Sequence, residues 1–223
     1  MKRESNKVLE SFKEIMPLSF GEEIGNSVSH GVGAAIMLVA LPYAAVKSYI
    51  AGGVLEAFSI SVFVISIFLM FLSSTIYHSM QQNSPHKYIL RIIDHSMIYV
   101  AIVGTYTPIC IILIGGWLGW SVLAVLWGIT IWGILYKALA TKVNPRLSLM
   151  MYLIMGWAGI LFVPTIIKDA SLWFMLFILF GGIAYTIGAW FYAQRNRPYF
   201  HMIWHIFIMI ASAFHFIGIV YFL

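Results

Sequence analysis

VLEAFSISVFVISIFLMFLSSTIYH, residues 54–78, is the stretch whose reading decides the fold. It is 25 residues long with Glu56 as its one Asp, Glu, Lys or Arg, and as a helix rising 1.5 Å per residue it would extend about 38 Å. That exceeds the ~30 Å of a bilayer's hydrocarbon core, so the run reads as a transmembrane helix. It closes on Ser74 and His78, four residues apart and therefore on one helix face. An ionisable side chain at membrane depth costs about 2.5–3.5 kcal/mol on insertion scales unless something pairs with it. His78 therefore needs a partner.

Working outward, similar apolar runs occur at about 28–49, 89–113, 117–137, 148–167, 171–193 and 200–222, which makes seven spans in all. They are divided by Gly52-Gly53, the polar stretch from Gln81 to Pro85, Gly115-Gly116, the segment Lys142 to Arg146, Lys168-Asp169 and the segment Arg195 to Pro198, all rich in turn and breaker residues. The weakest boundary is at 113–117, where no charge separates two spans. With 61% hydrophobic and 9% charged residues and a mean hydropathy of +0.92, the 223-residue chain lies outside the range of soluble domains. The expected fold is an all-α integral membrane protein, a seven-helix bundle with no room for a separate soluble domain.

The net charge of +5 does not point to nucleic acid, because the Lys and Arg residues fall in short connections rather than in a basic patch with interleaved aromatics. They act as topology signals. One side holds Lys2, Arg3, Lys7, Lys13, Lys87, Arg91, Lys137, Lys142, Arg146, Arg195 and Arg197, and the other only Lys47 and Lys168. Eleven against two predicts a cytoplasmic amino terminus and an external carboxy terminus under the positive-inside rule. Residues 1–20 form an amino-terminal segment in which Val8, Leu9, Phe12, Ile15 and Met16 recur at helical spacing, the pattern of an interfacial helix or else a disordered tail. Ser19 and Glu22 have the form of a capping box opening the membrane domain, residues 21–223. Cys110 is the single cysteine, so no internal disulfide forms, and no cleavable signal peptide is expected.

This topology brings polar residues to one layer. The span ending at His78 runs towards the cytoplasm, Asp94 lies just inside the next span, and His201 and His205 occupy the first two turns of the last one. His201 and His205 are about 6 Å apart along one face, suitable for gripping one ion. Three imidazoles with an open position are the ligand set of a catalytic zinc centre, and no cysteine cluster suggests a closed one. Asp94 is the acidic residue expected at that depth, either as a direct ligand or as a base beside the metal. Ser74, one turn deeper than His78, points at the same place. Plainer readings stand beside these: His78 as an interfacial histidine, Ser74 bonded to a carbonyl one turn back, Asp94 paired with Arg91. His95 projects about 100° from Asp94, towards headgroups or a neighbouring span. His215 is about 15 Å from His205 along the axis and is expected to hydrogen-bond within the bundle. Asn26, Ser29 and His30 read as an entry route or as capping and interface residues, and Pro42, Pro108 and Pro164 as kinks.

The run from Glu22 to His30, Ser-x-x-x-His at Ser74 to His78, Asp94, and His-x-x-x-His at His201 to His205 followed by His215 together resemble the hemolysin III family. This is the bacterial branch of the progestin and adipoQ receptor (PAQR) group, which is similar to alkaline ceramidases. The resemblance runs from about residue 20 to the end. It implies a zinc ion held by His78, His201 and His205, with Asp94 near its water and Ser74 close by.

Four functions follow for comparison. A membrane-embedded hydrolase of a lipid amide or ester would use Asp94 as base and Ser74 at the developing oxyanion. A cytolytic pore-former, as the family name implies, fits poorly with seven spans and no export signal. A non-enzymatic sensor would use zinc as a structural lock. An ion carrier would need ionisable residues spaced along a path, whereas these cluster at one side. The hydrolase in the bacterial cell membrane is the expectation carried forward, with a membrane lipid as substrate or ligand and no nucleic-acid partner.

Overall fold

Ser19 begins the first helix as the sequence predicts. Its hydroxyl accepts from the Glu22 amide at 3.3 Å while the Glu22 carboxylate takes the Ser19 amide at 2.9 Å, closing a capping box. The computed structural model describes residues 18–82, 84–140, 143–194 and 196–223. The expected interfacial helix over Val8 to Met16, and the topology signals Lys2, Arg3, Lys7, Lys13, Lys142 and Arg195, lie outside the described residues.

Among the described residues six helices are long and apolar enough to cross a membrane: α1 Phe20–Ser79, α2 Pro85–Ile114, α3 Gly116–Leu139, α4 Pro145–Ile166, α5 Leu172–Ala193 and α6 Phe200–Phe222. Helix α1 is 60 residues long but is broken inside by Gly52 (φ −147°, ψ 15°) and Gly53 (φ 80°, ψ −158°). The second of these conformations is essentially confined to glycine. The break folds α1 into two antiparallel arms, 20–51 and 54–79. The Ser27 hydroxyl of the first donates to the Thr75 carbonyl of the second at 3.2 Å, and His30 sets its ring edge on Phe71 at 5.0 Å.

Helix α6 runs parallel to the first arm. The Tyr199 amide donates to Glu22 Oε1 at one end, and Lys47 Nζ donates to the Val220 carbonyl at the other, 2.9 Å away. The boundary with no charge is made by glycine: after Pro108, α2 passes into a π-helical stretch, Ile109–Ile114, and Gly115 at φ 62° turns the chain into α3. Pro164 follows a 3₁₀ turn, Ala158–Phe162, that interrupts α4, whereas Pro42 lies within a continuous helix. The Tyr106 hydroxyl donates to the Gly156 carbonyl at 2.9 Å and accepts from the Gly159 amide at 2.7 Å, so the backbone groups freed by the 3₁₀ turn find a partner.

The core is built from Phe63, Val64, Ile67, Phe71, Tyr99 and Val103, all buried. Outside, Val39, Leu161 and Trp117 are 76%, 76% and 85% exposed. An apolar exterior around an apolar core is suited to lipid rather than water, and with six such helices the chain is a multi-pass membrane protein. Gly33 lets the two arms of α1 approach, since a Cβ there would lie 3.0 Å from the Phe71 ring, while Gly156 faces open space. Gly33→Leu is expected to wedge the arms apart and destabilise the fold by about 1–3 kcal/mol, measured by thermal unfolding in detergent. An unchanged unfolding midpoint would refute this packing.

Candidate metal centre

Three helix ends meet where the polar residues gather. The second arm of α1 brings Ser74 and His78 to its last turns, α2 carries Asp94 two to three turns from its start, and α6 carries His201 and His205 in its first two turns. Helix α6 begins on an unusual residue. Tyr199 has φ 62°, the left-handed region, which costs a residue with a Cβ about 1–2 kcal/mol. The 2.6 Å bond from its amide to Glu22 Oε1 holds it there and sets the height at which His201 and His205 enter.

His78, His201 and His205 each offer a ring nitrogen to one point, all of these atoms within 4.8 Å of one another and buried. As a whole residue His201 is half-exposed at the rim, whereas His78 and His205 are buried. The Nε2 atoms of His201 and His205 face each other at 3.2 Å. Two imidazole nitrogens bound tetrahedrally to one zinc at 2.0–2.1 Å would be about 3.3 Å apart. His78 Nε2 is buried with no hydrogen-bond partner among the described residues, as expected of an atom reserved for a ligand. The donor set therefore fits a metal ion, and buried His78, His201 and His205 lie close enough to hold one.

Asp94 is 6% exposed, beside Ser74 and within electrostatic reach of His78. The Ser74 hydroxyl lies against this carboxylate without a well-formed hydrogen bond. Asp94 Oδ2 also lies 3.4 Å from His95 Nδ1. His95 turns inward: its Nδ1 donates to the Arg91 carbonyl at 2.8 Å, its Nε2 meets the Tyr192 hydroxyl of α5 at 3.5 Å, and its carbonyl accepts from Tyr152 of α4 at 2.7 Å. Of the two expectations for His95, the neighbouring span is the one realised. His215 stays apart, its Nε2 3.3 Å from the Ile178 carbonyl, as its spacing predicts.

Two further residues join the site in ways their sequence positions did not show. Glu23, which the sequence marks only as a member of the run from Glu22 to His30, places Oε2 2.6 Å from His78 Nδ1. His30 stacks on His205 with ring centroids 3.8 Å apart. Its ring nitrogens and the Asn26 amide are buried without a well-formed hydrogen bond among the described residues. The available signal was periodicity: Glu23, Asn26 and His30 fall at i, i+3 and i+7, one helix face. Lys87 also departs from its expected role as a loop charge. It is fully buried, with Nζ 2.5 Å from Glu23 Oε1 and 3.2 Å from the Met80 carbonyl. A buried ammonium is tolerable only with such partners.

Residues 18–216 match the family described as "Haemolysin-III related". The chain is 34% identical over 201 residues to Hemolysin-3 of Bacillus cereus, covering 90% of this chain and 91% of the relative. It is 36% identical over 201 residues to a Hemolysin-3 homolog of Bacillus subtilis, covering 90% and 94%. A more distant similarity, 26% over 155 residues, covers 67% of this chain and 64% of the human monocyte to macrophage differentiation factor.

Proposed function

Because the chain belongs to the hemolysin III family, we propose that it is a cell-membrane hydrolase of a lipid amide or ester, with a zinc centre near the cytoplasmic side of seven spans. The observation that carries this reading is the convergence of His78, His201 and His205 on one point with Asp94 and Ser74 beside it. The seventh span comes from α1: 60 residues would make an unbroken rod of about 90 Å, three times the hydrocarbon core, whereas each arm matches one crossing. The orientation is supported by Lys87, Arg91, Lys137, Arg146 and Arg197 at the metal-centre end against Lys47 and Lys168 at the other.

Three imidazoles and no thiolate favour zinc, which when bound supplies Lewis acidity and makes water nucleophilic near neutral pH. On this reading Asp94 accepts the proton of the attacking water, and the Ser74 hydroxyl donates to the oxygen that becomes negative at the scissile carbonyl. The Tyr77 ring beside His78 and the Trp204 ring beside His201 and His205 limit water around the three imidazoles.

The test is metal analysis of the detergent-purified protein followed by a screen for fatty-acid release from N-acyl and O-acyl lipids. About one zinc per chain with zinc-dependent release is expected. A folded, metal-free protein would sink the reading. The names of the Bacillus relatives supply a second, lytic reading, and it gains if erythrocyte lysis by the purified protein survives removal of the metal.

A further inference from the structure

We infer that Glu23 is the positioning residue of the metal centre, fixing His78 in the tautomer whose Nε2 lone pair faces His201 and His205. This rests on the metal-centre reading above. Glu23 lies in the first turn of α1 and His78 in the last, 55 residues apart, yet Glu23 Oε2 is 2.6 Å from His78 Nδ1. An ionised carboxylate oxygen only accepts, so the hydrogen of this bond belongs to Nδ1. In a neutral imidazole the lone pair is then left on Nε2. That is the buried nitrogen with no hydrogen-bond partner among the described residues, in a ring whose centroid is 4.9 Å from that of His205 and 5.3 Å from that of His201.

The carboxylate is itself held. Lys87 Nζ takes the other oxygen at 2.5 Å, is anchored by the Met80 carbonyl at 3.2 Å, and lies 5.0 Å above the Tyr77 ring. Gln82 reaches the same oxygen at 3.4 Å while donating to the Leu18 carbonyl at 2.8 Å. Turning the Glu23 carboxylate away would break contacts to the last turn of α1, to Gln82 beyond it and to the start of α2. His201 and His205 owe their mutual placement to being four residues apart on one helix. His78 comes from another helix, and its ring orientation is set from outside. A carboxylate behind a ligating histidine typically contributes about 10- to 100-fold in metal affinity.

The test is zinc affinity by chelator competition, with cobalt absorption as a second probe, for wild-type, Glu23→Gln and Glu23→Ala proteins in detergent. Helix content and the metal-free unfolding temperature are measured alongside. Glu23→Ala is expected to bind about 10- to 100-fold more weakly, with helix content unchanged. Glu23→Gln, whose amide oxygen can still accept from Nδ1, is expected to fall between it and wild type. A Glu23→Ala protein that loses thermal stability but keeps wild-type zinc affinity would overturn the inference, leaving Glu23 a merely structural residue. Wild-type protein that binds no zinc would instead overturn the metal centre itself. Should the variants fail to fold, nitrogen-15 NMR of histidine-labelled, metal-free wild type decides: His78 with its hydrogen on Nδ1 is expected, and His78 with it on Nε2 refutes the role.

Discussion

A His201→Ala, His205→Ala double variant is expected to retain no stoichiometric metal while the wild-type protein carries about one ion per chain. The two residues supply two of the three imidazoles that meet within 4.8 Å. A lone His78 leaves one protein ligand, against the three or four that hold zinc in proteins. Apparent binding free energies of structural zinc sites are about 10–16 kcal/mol, so losing most of the ligands removes the ion at any practical concentration. The substitutions trade rings for methyl groups at one end of α6 and leave its other turns intact. Circular dichroism should therefore show an unchanged helix content. Metal retained at wild-type stoichiometry in the double variant would place the ion elsewhere.

Asp94→Asn separates chemistry from binding. The amide matches the carboxylate in size but cannot accept a proton, so hydrolysis is expected to fall by about 10²- to 10⁴-fold, the usual contribution of a positioned general base. Metal content should stay near wild type, because the three imidazoles come from α1 and α6 and Asp94 from α2. Loss of the ion together with the activity would make Asp94 a ligand instead of a base. Wild-type rates in the variant would remove it from the chemistry. Ser74→Ala, tested in parallel, is expected to lower the rate by about 10²-fold or more if its hydroxyl serves the oxyanion.

Much of this arrangement was legible in residue order. The spans at 89–113, 117–137, 171–193 and 200–222 correspond to α2, α3, α5 and α6 within a few residues, because apolar length is a local property. The shared layer of His78, Asp94, His201 and His205 followed from counting helices between loops. Glu23 was not legible in the same way. An acidic residue ahead of a first span looks like a solvated cap, and its neighbour Glu22 does act as one. Lys87 was misplaced for the related reason that a charge just inside a helix start looks like a surface charge. Their contact with each other, across 64 residues of chain, leaves Lys87 buried and Glu23 half-buried.

The sequence by itself determined the class of protein, the places where the chain turns, and which side chains share a helix face. Each of these depends on residues within a few turns of one another. Tertiary structure alone decided that Glu23 stands behind His78 and that His30 stacks on His205. A hydrogen bond or ring contact selects its partner by distances of a few tenths of an ångström, which depend on how the arms of α1 pack against α2 and α6. Helical periodicity tells which way a residue faces within its own helix, but not which residue of another helix it meets.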